Sequence, residues 1–370
     1  MSENDLENRS KTDNFHSKCL EGNPLDGPVD RDIRIYLPPG YYENKEKRYP
    51  VIYFLHGYAG NNESWTVTAL HDKDRGIPLD IIPKKILKEV DLDRMPTYEI
   101  LDDLIINGEL APFILVQPDG SLHKPHKDGL NGLKGTPVTK GSFYVNSPYI
   151  GNYMDYIIKD VINYIDENYR TIPDKQHRVL MGGSMGGFGA LYVAIHHPEK
   201  FISVGALSPG NLGDFDLLNW KLRVPLVERL FGNKVSEMFG DRTWDDILDT
   251  VDLIFSRDDP LLPSIKRDEK GKIVDLKKEA VDNWQKYDIN YVLKNNPEAL
   301  KQVHLILTCE KTDEFGLSTA AENIHKTLKK LGIDHKFDFF SDPKAALSPH
   351  MLGIGYKIIP AIQFCLQYMD

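Results

Sequence analysis

The segment that most narrows the fold is Val179-Leu180-Met181-Gly182-Gly183-Ser184-Met185-Gly186-Gly187-Phe188-Gly189-Ala190. A short apolar run of strand character meets an apolar stretch of helical character, with a serine at G-x-S-x-G spacing between them. A chain that turns from strand to helix in so few residues must bend sharply, and the residue at the bend takes a strained backbone conformation. Gly182 and Gly186 stand two positions before and after Ser184, where such a bend leaves no room for side chains. The bend lifts the Ser184 hydroxyl to a helix N-terminus, where the macrodipole and unpaired N–H groups favour negative charge. The plain alternative is a glycine-rich packing turn, so the rest of the chain has to decide.

The same order of strand, polar stop and amphipathic segment recurs elsewhere. Tyr49 to Leu55 is apolar throughout and stops at His56-Gly57, Phe113 to Val116 stops at Pro118-Asp119-Gly120, and Phe201 to Leu207, Val303 to Thr308 and Lys336 to Phe340 follow later. Uniformly apolar strands are those covered on both faces, so the pattern predicts an α/β fold with a mostly parallel central sheet flanked by helices. Helical spacing appears in Asp155 to Tyr164 and Leu191 to His196, and Asp32 to Leu37 alternates as a half-buried strand. A chain of 370 residues suits about two domains, or one large α/β domain with an insertion. We expect a polar leader over residues 1–28 without the apolar core of a secretory signal, and one domain over 29–370. Between about 211 and 300 the character changes to charged, aromatic-dotted helical segments, read as a cap-like insertion over the sheet; His71 to Leu110 is a second elaboration.

Charge and cysteine content exclude several classes. The 45 Lys and Arg against 55 Asp and Glu are interspersed, for a net charge of −10, which argues against a nucleic-acid partner. No apolar stretch approaches the roughly 20 residues that cross a bilayer, so no membrane association is expected. Cys19, Cys309 and Cys365 lie far apart with no CxxC spacing, which suggests neither a disulfide framework nor a zinc cage and fits a reducing, cytoplasmic setting. His123 and His126, beside Asp119 and Asp128, lack a defined fourfold ligand set and read as a solvated loop. No metal or cofactor is expected. Homo-oligomerisation is left open.

A serine hydroxyl near pH 7 is a weak nucleophile and needs a base, itself oriented by a carboxylate. In strand-to-helix serine sites the chain order is serine, acid, histidine. After Val303 to Thr308 comes Cys309-Glu310-Lys311-Thr312-Asp313-Glu314-Phe315-Gly316; Asp313 is the first choice for the acid, with Glu310 and Glu314 as competitors. After Lys336 to Phe340, a loop ends at His350 before an apolar C-terminal helix, which satisfies both order and place for the base. His304 lies inside a strand, His325 and His335 in a helix and its exit turn, and His196-His197 close the helix after the serine, so packing or surface roles explain them better. Two backbone N–H groups must also stabilise a tetrahedral oxyanion. Met185, the residue after the serine, supplies one, and Tyr58, aimed inward by the turn at Gly57, the other.

Together these residues resemble the α/β-hydrolase fold, and more narrowly the esterase D-type family that includes S-formylglutathione hydrolases, feruloyl esterases, acetyl esterases and, more distantly, mycolyltransferases. The resemblance rests on Tyr49 to Trp65 with its L-H-G-x-x-G-N stretch, on Gly182 to Leu191 and on Ser341 to Leu352; Ser142 to Asn146 and Asn152 to Tyr156 are similar to the segment before the serine in bacterial and archaeal members. It covers the chain from about Asp30 onward, the cap-like stretch excepted. The resemblance implies Ser184 as nucleophile, Asp313 as orienting acid, His350 as base, and Tyr58 with Met185 as oxyanion donors. Glu310 departs from it, since members often carry Gly there, as does the length of the insertion. The expected activity is carboxylic-ester hydrolysis through an acyl-serine, on a small-molecule ester with a small or aromatic acyl group. Acyl transfer by the same triad, a capped serine peptidase and a catalytically silent binding module are the alternatives. Trp220, Trp244, Trp284, Tyr144 and Tyr149 would permit an aromatic or sugar ester, though such residues are more often packed.

Overall fold

Runs in which every residue is apolar or uncharged have two faces to bury and become central strands. Val51–Leu55, Ile114–Pro118 and Ser203–Leu207 are buried at every position. In the computed structural model, which describes residues 3–58, 60–65, 98–122, 141–211, 251–255, 265–269, 273–276, 278–345 and 348–369, they belong to one eight-stranded sheet. Its strands are β1 Ser10–His16, β2 Asp30–Tyr36, β3 Val51–Leu55, β4 Ile114–Pro118, β5 Arg178–Gly183, β6 Ser203–Leu207, β7 His304–Glu310 and β8 Lys336–Phe340, in the order β1-β2-β4-β3-β5-β6-β7-β8. From β4 through β8 every pairing is parallel, and β1 and β2 add an antiparallel edge.

Alternation along each strand divides the core between two faces. Val51, Tyr53 and Leu55 pack with Leu180, Val204 and Leu307 beneath helices whose inward residues include Leu191 and Ile324. Ile52 and Phe54 face the other way, toward Val179, Met181 and Ile306 and a layer containing Leu101, Ile358 and Ile362. The helices that matter to the site and its supports are α1 Glu3–Arg9, α2 Tyr98–Ile106, α3 Met185–His196, α4 Leu317–Lys330 and α5 Pro349–Leu366. Of these, α3 and α4 cover one face of the sheet, and α2 and α5 the other.

Within the stretch expected as a polar leader, residues 10–16 form the edge strand β1, paired along its length with β2 from Ser10↔Tyr36 to His16↔Asp30, so the sheet begins before residue 29. Its polar residues have partners. Arg9, 1% exposed, makes a two-pronged ion pair with Asp102 of α2 and donates to the Leu37 carbonyl oxygen at 2.9 Å, while Asp13 accepts from Tyr164 Oη at 2.9 Å. A polar sequence masks a strand when tertiary partners satisfy its side chains.

Within the cap-like stretch, a hairpin pairs Ile265–Arg267 with Ile273–Leu276, and two helices come after it, Lys278–Gln285 and Ile289–Asn295. The break falls where Asp288 caps the second helix, accepting from Tyr291 N at 2.8 Å. Residues 212–250, with Trp220 and Trp244, lie outside the described residues, as do 66–97 and 123–140, with His123, His126 and Asp128.

Candidate active site

The turn between β5 and α3 has the expected conformation. Ser184 has φ 60° and ψ −119°, a region that a non-glycine residue occupies only when its surroundings force it. A Cβ at Gly182 would sit 2.3 Å from the Gly186 carbonyl oxygen, and one at Gly186 would sit 2.1 Å from the Leu55 carbonyl oxygen, so neither position admits a side chain. A serine at a helix N-cap ordinarily spends its hydroxyl on the first turn; here the positive φ turns it away and Ser184 makes no side-chain cap bond.

The register of the parallel strands brings the loops to this serine. Leu55 pairs with Gly182 and Gly183 with Leu207, so the turns after β3 and β5 leave the carboxyl edge of the sheet side by side. A Cβ built at Gly57 would lie 3.4 Å from Ser184 Cβ. Tyr58 and Met185 converge as well, since a Cβ at Gly141 would meet Met185 Sδ at 2.4 Å and Tyr58 Cδ2 at 2.9 Å. As the first residue of α3, Met185 has its N–H outside the helix's own ladder.

At the end of β7, His350 Nδ1 and Asp313 Oδ2 are joined by a 2.7 Å hydrogen bond, with both side chains almost wholly buried. The other oxygen, Asp313 Oδ1, accepts from Phe315 N at 3.0 Å and Leu317 N at 3.4 Å, which fixes the carboxylate in one orientation. Burial opposes protonation of His350, but the charge and hydrogen bond of Asp313, with Glu314 behind them, outweigh it and hold its pKa above the ordinary imidazole value. Packing carries this pair to the serine: Ile354, one helical turn after His350, lies 2.8 Å from where a Gly183 Cβ would stand. A Ser184–His350 hydrogen bond is not among those formed by the described residues; such contacts commonly tighten only when substrate binds.

The two rival acids are engaged elsewhere. Glu310 Oε2 accepts from Thr312 N and, at 2.7 Å, from Thr312 Oγ1, so it closes its own turn. Glu314 meets the backbone of His350, not its ring, accepting from His350 N at 2.7 Å.

Two supports of the Tyr58 loop escaped sequence reasoning. His56 accepts from Gly120 N at Nε2, 2.9 Å, and donates from Nδ1 to its neighbour's carbonyl, Gly57 O, at 2.8 Å; this pair of bonds requires a neutral ring with its proton on Nδ1. Tyr144 occupies the left-handed region with φ 55°, is fully buried, and donates from Oη to the His56 carbonyl at 3.1 Å. Its ring fills a slot that side chains at Gly120 or Gly189 would close, at 2.2 and 2.5 Å. Tyr144 and Trp284 are therefore packed, which removes both from the aromatics available to a substrate, and Tyr149 is partly buried against the core. The signal for the supports was the polar His56 at the end of an all-apolar strand, which terminates the strand and is also bonded across to the end of β4.

The sheet order, the strained serine elbow and the acid–histidine pair at the carboxyl edge define an α/β-hydrolase fold. Residues 28–330 match the family described as "Putative esterase", and the chain belongs to that family. It is 30% identical over 179 residues to an endo-1,4-beta-xylanase/feruloyl esterase of Xylanibacter ruminicola, which covers 48% of this chain and 19% of that protein. It is 27% identical over 236 residues to an esterase of Mycobacterium tuberculosis, covering 62% of this chain and 39% of that protein. The chain thus spans well under half the length of these curated relatives. Among solved structures, a ferulic acid esterase superposes with TM-score 0.58 at 19% identity over 98% of both chains. An S-formylglutathione hydrolase from Agrobacterium tumefaciens does so with TM-score 0.54 at 15% identity over 98% of this chain and 95% of that one. At these identities the likeness is one of fold. Among the described residues no three His, Cys, Asp or Glu side chains group as metal ligands, the three cysteines are free, and no helix is long and apolar enough to cross a membrane.

Proposed function

We propose that this chain is a serine carboxylic-ester hydrolase, and that the observation carrying this reading is the buried Asp313–His350 hydrogen bond beside the strained Ser184 elbow. Ser184 attacks the ester carbonyl as His350 takes its proton; the carbonyl oxygen, now negative, lies against the N–H groups of Met185 and Tyr58. His350 then hands the proton to the leaving alcohol, and the acyl-serine is hydrolysed by a water that His350 activates in turn. Asp313, fixed by Phe315 N and Leu317 N, keeps the imidazole proton on Nδ1 so that Nε2 remains the acceptor. No step of this scheme calls on a metal or cofactor.

The substrate is read as an ester with a small or aromatic acyl group, of feruloyl or acetyl type, by analogy with the feruloyl esterase among its relatives and the ferulic acid esterase that shares its fold. We read the insertion of about 211–300 as limiting the size of the acyl or alcohol group, because it leaves the sheet after β6 at the carboxyl edge, where open α/β sheets bind ligands, although its later residues Trp284, Ile289, Val292 and Leu293 are packed in the core. The test is kcat/KM over p-nitrophenyl esters of increasing acyl length, methyl ferulate and S-formylglutathione. The short acyl esters and methyl ferulate should lead, and a variant with residues 212–250 replaced by a Gly/Ser linker should gain relative activity on long chains. Turnover of S-formylglutathione alone would overturn the substrate assignment, and an unchanged chain-length profile in a folded linker variant would overturn the cap.

The pH dependence is set by the base. Only neutral imidazole can accept the serine proton, and Asp313 and Glu314 hold the imidazolium against its burial. Activity on an acetyl ester should therefore rise with pH through a midpoint above the ordinary imidazole value of about 6.5. A log kcat/KM profile that falls across this range would reject His350 as the base.

A further inference from the structure

Three consecutive residues of the turn after β7 hold His350 from three sides. Asp313 takes the imidazole Nδ1–H, the Phe315 ring lies against the imidazole with centroids 4.7 Å apart, and Glu314 reaches under the start of α5. Glu314 uses both oxygens there: Oε2 accepts the backbone N–H of His350 at 2.7 Å, and Oε1 accepts the Ser348 hydroxyl at 2.8 Å. Ser348 is in turn the N-cap of α5, its oxygen accepting from Met351 N at 3.4 Å. The first turn of the helix that carries the imidazole is thus tied to the turn that carries its acid, by a partly buried carboxylate to which the reaction scheme gives no role. We propose that Glu314 is a positioning residue: its carboxylate clamps Ser348 and the His350 backbone so that the imidazole stays on Asp313 and presents Nε2 toward Ser184. This rests on the reading of His350 as the base.

The helix itself explains the need for a clamp. The first N–H groups of a helix have no partner within it, and His350 is the second residue of α5, so without Glu314 its backbone would be held only through the later turns of the helix. A displacement of about 1 Å at a reacting group can cost roughly a hundredfold in rate. Glu314 also places a second negative charge on the imidazole. Among the described residues, the charged groups acting on the ring are Asp313 and Glu314, both from the turn after β7. The elbow and the loop after β3 present Ser184, Met185 and Tyr58, none of them charged, and Lys357, further along α5, is paired with Asp338 at 2.8 Å. The buried Cys309 thiol near Asp313 is pushed well up by burial and stays neutral.

The test compares E314A and E314Q with wild type and S184A on an activated acetyl ester. E314A removes both acceptors and should lower kcat about 10- to 100-fold with KM unchanged. E314Q keeps a carbonyl oxygen for His350 N while its amide faces the Ser348 oxygen, and should restore kcat to within about threefold of wild type. Because E314Q loses the charge, the midpoint of its kcat/KM profile should also move to lower pH. A carboxylate that merely stabilised the fold would lower Tm in E314A and leave kcat and the pH midpoint alone, and that result overturns the proposal. So does E314Q as inactive as a variant of Asp313, which would make Glu314 the orienting acid itself. If E314A does not fold, S348A, which frees one of the two groups that Glu314 ties, decides: a loss of kcat with KM unchanged supports the clamp and an unchanged kcat rejects it. Failure of the underlying reading has a different signature, an S184A variant that keeps its activity.

Discussion

Ser184→Ala is expected to lower kcat on an activated acetyl ester by four or more orders of magnitude, roughly the loss seen when the nucleophile of a triad is removed. Tm should stay near that of the wild type. The two expectations separate because the hydroxyl does no structural work: it makes no cap bond to α3, and the backbone bonds at this position, Ser184 N to Leu207 O at 2.9 Å and Phe188 N to Ser184 O at 3.0 Å, do not involve the side chain. Alanine at φ 60° carries the same strain as serine. The residual rate should come from oxyanion stabilisation and binding alone. Intact-mass measurement during turnover should find the acyl adduct on wild type and none on S184A. Retention of more than about a tenth of the wild-type rate would mean that the nucleophile lies elsewhere.

Elbow and sheet were legible in the sequence for a local reason. A glycine two residues either side of Ser184 is dictated by carbonyl oxygens within 2.1 to 2.3 Å of where its Cβ would be, a constraint that leaves its mark at fixed positions. The central strands likewise announce themselves, because burial on both faces demands unbroken apolar runs. β1 was not legible. Its sequence, SKTDNFH, has a single buried residue, Phe15, and its stability as a strand comes from distant partners: Asp102 for the adjoining Arg9, Tyr164 and Tyr169 for Asp13. The carboxylate that meets His350 was legible only as a choice of three. Glu310, Asp313 and Glu314 lie within five residues, and which of them meets the imidazole depends on how the turn after β7 closes. Thr312 captures Glu310, Gly316 at φ 73° opens α4, and the backbone N–H groups of Phe315 and Leu317 then anchor Asp313 toward the ring. The side-chain role of Tyr144 was invisible for the opposite reason. An aromatic residue near a site suggests substrate contact, and only the tertiary slot between Gly120 and Gly189 makes this one a strut.

Those anchors determine what Asp313→Asn should do, which is the second large effect expected. Both Asp313 oxygens serve as acceptors, one from His350 Nδ1 and the other from two backbone N–H groups. Asparagine has one acceptor and one donor end. If its NH2 group faces Phe315 N and Leu317 N, donors oppose donors in a buried site, at a cost of about 1–3 kcal/mol for the unmet groups. If the NH2 group faces His350 instead, Nδ1 must become the acceptor and the imidazole proton moves to Nε2, the atom that has to receive the serine proton. The second arrangement satisfies more hydrogen bonds and is the one expected, so the variant should fold and bind substrate while its base is in the wrong tautomer. The kcat should fall by about four orders of magnitude with KM little changed. Glu310→Gln, whose partners are the N–H and hydroxyl of Thr312, should stay within a few-fold of wild type. The reverse ranking, with Glu310→Gln crippled and Asp313→Asn active, would put the orienting carboxylate at the end of β7 and break the assignment of Asp313.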